Sequence, residues 1–200
     1  LHVRLDDKSF ARFRKETEAL RRVKAPYIEI VHRSGRTEAG QPWLIVEHLP
    51  DDLVGMVARF GPVTWQEAVA VGRQTGAALD AARRAGLPHG GLKPGDLRFD
   101  ADGLTHVADL TLARYVATAG VGVVDPTSAD ERAAHRAPEV VEGRPITERT
   151  DVFALASGLY QALSGRAPFD DSGGDGLPVP LIRHGVPTAV DEVIRAALSW

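Results

Sequence analysis

Apolar positions recur at helical spacing near the start of the chain. Phe10, Phe13, Thr17 and Leu20 share one face of a stretch from Ser9 to Val23, and Ser9 can cap it. The basic residues Arg12, Arg14, Lys15, Arg21, Arg22 and Lys24 form a solvated surface on and beside this helix. Two short β-branched runs follow, Ile28–Val31 and Leu44–Val46, with a polar, hairpin-like stretch at Arg36–Gln41 between them. Pro50-Asp51-Asp52 interrupts the pattern and can start a short helix over Leu53–Phe60. Thr64 and Glu67 stand three apart, a capping box that opens a long helix ending near Ala85 and Gly86. Pro88–Asp96 is rich in Gly and Pro. Short strands are expected at Leu97–Phe99 and Thr105–Ala108, joined by a turn at Asp100–Gly103. Residues 109–139 show no sustained periodicity, which in a compact domain points to a functional segment. Thr150–Ser164 is apolar almost all round, so it is expected to be buried, and it is too short to span a bilayer. A loop at Asp170–Pro180 precedes a last helix starting at Thr188-x-x-Asp191. The predicted class is α+β: a helix and a few strands, then helices around one buried helix.

Composition narrows the chemistry. The chain has 200 residues with 44% hydrophobic and 26% charged, as expected for one soluble globular domain. A net charge of −3 argues against nucleic acid or a membrane surface as partner. There is no cysteine, so disulfides and thiolate metal sites are excluded, and nothing suggests secretion. The seven histidines lack metal-ligand spacing. No run is long and apolar enough for a membrane segment. Asparagine is absent, and the lysines are Lys8, Lys15, Lys24 and Lys93 alone. Met56 is the only methionine and the chain begins at Leu1, which suggests a stretch cut from a longer protein.

Four motifs stand in a telling order. Pro88-His89-Gly90-Gly91-Leu92-Lys93-Pro94-Gly95-Asp96 lies between the long helix and the strand pair. Asp109-Leu110-Thr111 closes that pair. Ala137-Pro138-Glu139 comes next, followed by Thr150-Asp151 at the start of the buried helix. Together they resemble the eukaryotic-type serine/threonine protein kinases, in particular their bacterial members, whose signatures are a His-Arg-Asp catalytic loop, an Asp-Phe-Gly metal motif and an Ala-Pro-Glu anchor. The resemblance implies a bilobal fold. Residues 1–49 would be a partial N-lobe with helix C, strands and the start of the hinge, and residues 50–200 a mainly helical C-lobe.

The same resemblance assigns the site residues. Gly91 falls where the family has its base, Lys93 two residues on, and Asp96 five residues on, where the family has a metal-binding Asn. Asp109 matches the metal-binding Asp. Glu16 matches the helix glutamate that pairs with a nucleotide-anchoring Lys, expected before Leu1 with the Gly-rich loop. Val46 would be the gatekeeper and Glu47–Leu49 the hinge. His89, Glu139 and Asp151 would be structural anchors. ATP and Mg²⁺ are the cofactors implied.

The departures concern the chemistry. Gly91 has no side chain to orient or deprotonate a substrate hydroxyl, and loss of a general base typically costs about 10²–10⁴-fold in rate. Gly90 replaces the Arg that pairs with a phosphorylated activation segment, so Thr127 and Ser128 lose that partner. Thr111 replaces a flexible Gly, and Glu131-Arg132 replaces Gly-Thr ahead of Ala-Pro-Glu. Asp96 and Asp109 remain hard oxygen ligands that suit Mg²⁺. Three readings follow. The first is a catalytically impaired, cytoplasmic regulatory or scaffold module with a protein partner. The second is a weak or unorthodox serine/threonine kinase in which Asp96 or a water replaces the base. The third is a small-molecule phosphotransferase, suggested by the likeness of His89-Gly90-Gly91-Leu92 to a His-Gly-Asp-Leu loop.

Overall fold

The computed structural model describes residues 4–110, 135–169 and 180–199. Thr111, Thr127, Ser128 and the Glu131-Arg132 pair lie outside the described residues, as does most of the expected Asp170–Pro180 loop. Among the described residues the fold is mixed α+β, mostly helical with two small sheets.

Helix α1 spans Asp7–Arg22 and buries Phe13, Thr17 and Leu20 on the face that its spacing predicts. It starts two residues before the expected Ser9. Asp6 is the cap, and its carboxylate accepts the Ser9 amide N–H at 2.7 Å. Ser9 is therefore the capped residue, not the cap.

Strands β1 (Val31–Arg36) and β2 (Pro42–Val46) form an antiparallel hairpin, pairing Val31 with Val46 and Gly35 with Trp43. A side chain on Gly35 would collide with the Trp43 ring. The first strand thus lies later than the Ile28–Val31 run. Ile28 makes only an isolated parallel bridge to Val107.

A second, three-stranded antiparallel sheet joins β3 (Asp51–Asp52), β4 (Leu97–Phe99) and β5 (Thr105–Val107), with Asp51 opposite Phe99 and Leu97 opposite Val107. The Asp52 carboxylate caps α2 (Leu53–Phe60) through the Gly55 amide.

Helix α3 (Trp65–Arg84) opens with the full capping box: Glu67 accepts the Thr64 N–H at 2.7 Å, and Thr64 Oγ1 accepts the Glu67 N–H at 3.3 Å. A short helix α4 (Pro138–Val141) leads to α5 (Glu148–Ser164), whose buried positions fall on every side. A 3₁₀ turn over Leu181–His184 precedes α6 (Thr188–Leu198).

Helix α5 is the hub because it has no polar face to give to solvent. Its Ala154 joins the core around Leu20, Ile28, Leu53, Leu97, Val107 and Leu110. Phe153, Ala156, Tyr160 and Leu163 join a second core with Leu181, Ile194 and Leu198. Helix α6 starts at Thr188, as the sequence predicts. Pro187 is its cap residue, and Asp191 is 2% exposed and accepts the Leu181 amide at 2.7 Å. No helix among the described residues is long and apolar enough to cross a membrane.

The two threonines should therefore behave differently. Thr64→Ala removes a side-chain cap and should cost about 1 kcal/mol, whereas Thr188→Ala should stay within about 0.5 kcal/mol of the parent. Urea denaturation of the two variants checks this.

Candidate functional site

The loop from Pro88 to Asp96 is held from beneath by one carboxylate. Asp151, in the first turn of α5, accepts the His89 amide N–H at 3.0 Å and the Gly90 amide N–H at 2.8 Å. Burial pushes the Asp151 carboxyl above the ordinary carboxylate range, while His89 and the two amides pull it back. Gly90 has φ +73°, a left-handed conformation that strains a residue with a side chain. An Arg there would meet this constraint.

The His89 ring is fully buried, and its Nε2–H donates to the Ala108 carbonyl at 3.0 Å. The Ala108 N–H in turn donates to the Asp96 carbonyl at 2.8 Å. These two bonds fasten the end of β5 to the loop and bring Asp109 beside it.

Lys93 and Asp96 form an ion pair within the loop. Lys93 Nζ lies 2.8 Å from Asp96 Oδ1, and the Lys93 amide N–H donates to Asp96 Oδ2 at 3.1 Å. The side chains are 13% and 4% exposed. His89 Nε2 stands 3.7 Å from Asp96 Oδ2. Both Asp96 oxygens are thus engaged by positive or donor groups. Gly91 is half-buried and contributes only backbone.

Asp109 follows with φ +56°, rare for a residue other than glycine. Burial lifts its carboxyl above the ordinary range and the neighbouring Asp96 charge adds to the lift, against the pull of His89, Lys93 and Arg98. Asp96 and Asp109 are a hard oxygen donor pair that fits Mg²⁺, and their charge conflict is one a divalent cation would relieve. Among the described residues no group of three or more His, Asp or Glu side chains is arranged to hold a metal. A bound magnesium would supply charge neutralisation to phosphate oxygens.

His89, Lys93, Asp96, Asp109 and Asp151 are thus brought into one cluster. The other expected residues lie apart from it. Glu16 is on α1, with its carboxylate 2.9 Å from Arg12 Nε of the same helix. Val46 ends β2 and is partly buried against the core. Glu47 accepts the Ile30 amide at 2.7 Å and stands 3.5 Å from His106 Nδ1. Leu49 is 4% exposed, and its carbonyl accepts from Arg98 at 3.5 Å. Glu139 accepts the Thr150 hydroxyl at 2.6 Å, which joins α4 to the start of α5.

One residue escaped the sequence reading. Glu29 is only 8% exposed, and its carboxyl is pushed up to about 7, first by burial and then by the adjoining Asp109 charge. The Asp109 amide and Arg98 act in the opposite direction. A lone acid inside the apolar Ile28–Val31 run was the available signal.

Known proteins resemble this chain over most of its length. The sequence model of the protein kinase domain matches residues 2–184. Serine/threonine-protein kinase PknK of Mycobacterium tuberculosis is 29% identical over 214 residues, covering 100% of this chain and 19% of PknK. Serine/threonine-protein kinase PknE of the same species is 30% identical over 94% of the chain and 34% of its own length. PknH of Mycobacterium bovis is 30% identical over 94% of the chain and 33% of its own length. The chain therefore spans about a fifth to a third of these relatives.

Glu29 gives a pH signature. Its folded value of about 7 lies above the unfolded 4.5, so the folded state holds the extra proton between them. Stability from this group is complete below pH 4.5 and is lost as pH rises through 7. The total change is about 3 kcal/mol. Urea midpoints at pH 5 and pH 8 should show Glu29→Gln gaining on the parent by most of that amount at the higher pH.

Proposed function

The chain belongs to the protein kinase family, and on that premise we propose that it is a catalytically impaired member, a pseudokinase that binds and presents rather than phosphorylates. The observation that carries this reading is the disposition of charge on the loop. At the base position stands Gly91, without a side chain, and the loop's one carboxylate, Asp96, is closed into an ion pair with Lys93. Phosphoryl transfer depends on positioning and on charge aimed at the moving phosphoryl group. Here the lysine that would meet that group is neutralised from within the loop.

The bilobal division accompanies this reading. Residues 1–49 form the N-lobe remnant and residues 50–200 the C-lobe, with Val46 to Leu49 between them. ATP with Mg²⁺ would bind against the hinge and the Asp96–Asp109 pair. With the base lost, the output of such a cytoplasmic domain is contact with a protein partner, through a surface that nucleotide occupancy stabilises.

A second reading, a weak serine/threonine kinase, is favoured by the relatives' names and by the presence of Lys93 and Asp109. It needs a substitute base. Asp96 is a poor one, because it is 3% exposed and both its oxygens are occupied. Asp151 is committed to the His89 and Gly90 amides.

A phosphotransfer assay on the full-length protein with Mg·ATP decides between the two. Incorporation should be no greater than in a variant carrying Lys93→Ala and Asp109→Ala. Turnover that those two changes abolish would contradict the impaired reading.

A further inference from the structure

His106 sits on β5 between two residues that face the core. Thr105 and Val107 are fully buried, so the His106 ring projects from the opposite face of the strand. Two carboxylates from different parts of the chain meet it there. Asp100, in the turn before β5, has Oδ2 2.9 Å from His106 Nε2. Glu47, just past the end of β2, has Oε1 3.5 Å from His106 Nδ1. The same Glu47 oxygen accepts the Ile30 N–H at 2.7 Å, and the Glu47 N–H donates to the Ile30 carbonyl at 2.9 Å. One imidazole thus lies between the Asp100 turn and the pairing of Glu47 with Ile30.

The two contacts differ in kind. Asp100 accepts the Asp102 and Leu104 amides through its other oxygen. The His106 bond first, and then the Leu104 amide, hold its carboxyl below the ordinary range. An ionised carboxylate only accepts, so Nε2 carries the proton of the ring. In the neutral imidazole Nδ1 is then bare. That atom is buried and has no hydrogen bond among the described residues. Its lone pair faces an acceptor oxygen of Glu47. One more proton reverses the contact, because an imidazolium donates from both nitrogens, and a bond from a cation to a carboxylate is among the strong ones. Histidine is the side chain whose charge ordinarily changes between pH 5 and 8.

The other neighbours do not supply an alternative partner. Arg98 lies directly across from His106 on β4 and opposes the added charge, with its guanidinium directed to the Leu49 carbonyl at 3.5 Å. Glu29 pairs through its backbone with Val107, and its carboxyl titrates near 7 on its own account. Helix α3 reaches the strand through Gln74, an uncharged side chain that accepts the Thr105 N–H at 2.9 Å.

We propose that His106 is a proton-operated latch: with a proton on Nδ1 it bonds Glu47 as well as Asp100 and clamps the Glu47–Ile30 pairing to the β4–β5 sheet, and without that proton it holds Asp100 alone. The latch bears on nucleotide binding only through the reading proposed above, in which Glu47 belongs to the hinge. Its own operation is independent of that reading.

Amide hydrogen exchange on the full-length protein at pH 5 and pH 8 tests it, with each rate expressed as protection relative to an unfolded chain. The Ile30 N–H, bonded to the Glu47 carboxylate, is the reporter. A net hydrogen bond corresponds to about tenfold in local protection. Glu29 titrates in the same window, so the latch is read as the excess pH dependence of the parent over His106→Gln, which keeps Glu29 and lacks the titrating ring. Ile30 should lose about tenfold more protection between pH 5 and pH 8 in the parent than in His106→Gln. Glu47→Gln, which still offers a carbonyl oxygen to Ile30, should lose the excess as well. The Val107 N–H, bonded to the Tyr27 carbonyl, should show no excess. Equal pH dependence of Ile30 in the parent and in His106→Gln would overturn the proposal. An excess that persists in Glu47→Gln would also overturn it, since the proton would then act elsewhere. So would an equal excess at Val107, which would mark a change in overall stability. None of these outcomes touches phosphotransfer, so failure of the latch leaves the impaired-kinase reading to its own assay.

Discussion

One buried carboxylate sets the geometry on which the site depends. Asp151 sits at the start of the most enclosed helix and collects two consecutive amide N–H groups from the loop above it. A carboxylate this deep is costly to charge, and the two amides offset part of that cost. The bond pair admits only one path for the chain through His89 and Gly90, with Gly90 in the left-handed region. Everything next in the cluster follows from that path. His89 is fixed on the Ala108 carbonyl, Ala108 on the Asp96 carbonyl, and Asp109 is delivered beside Asp96. The loop is therefore built and held as a kinase loop would be, from the core outward.

What differs is where the loop keeps its acid. In the resemblance, a carboxylate belongs at position 91 and a neutral amide at position 96. This chain has hydrogen at the first and a carboxylate at the second. The number of acids at these two positions is unchanged, but the acid has moved from the first to the second. At 91 an acid would face an incoming hydroxyl. At 96 it is 3% exposed and faces Lys93. A mostly buried ion pair of this kind is held by the penalty for breaking it, because either partner left alone would be a desolvated charge. Any ligand that draws Lys93 away must compensate Asp96, and a divalent cation shared with Asp109 is the natural means. On the proposed reading, metal and phosphate recognition would thereby be linked through one lysine.

Much of the scaffold was legible in the sequence because its signals are local. The Thr64–Glu67 box and the bounds of Leu53–Phe60 and Leu97–Phe99 rest on contacts within a few residues. The errors have the opposite character. Asp6 and Ser9 are both good caps three apart, and only the structure decides which accepts and which donates. Strand β1 carries His32, Arg33, Ser34, Gly35 and Arg36, so no alternation reveals it; its partner strand defines it. The start of the last helix at Thr188 was legible, but not that Asp191 in its first turn answers an amide ten residues earlier. The site divides in the same way. Motif spacing located the residues of the Asp151 loop, since a loop fixed at both ends preserves its count. Glu29 left only the faint signal of a lone acid inside an apolar run, because the neighbour that acts on it, Asp109, lies far along the chain.

The ion pair between Lys93 and Asp96 is the claim most open to direct measurement, and the chain suits the measurement. It has four lysines, of which Lys8, Lys15 and Lys24 are exposed and Lys93 is not. Acetylation with a limiting amine reagent, followed by peptide mass spectrometry, reads each of them separately. With Asp96 intact and no added cation, Lys93 should be modified far more slowly than the other three, and Asp96→Asn should bring it up to their rate. A Lys93 that reacts as fast as Lys8, Lys15 and Lys24 in the parent protein would show a free ammonium and contradict the reading of a loop neutralised from within.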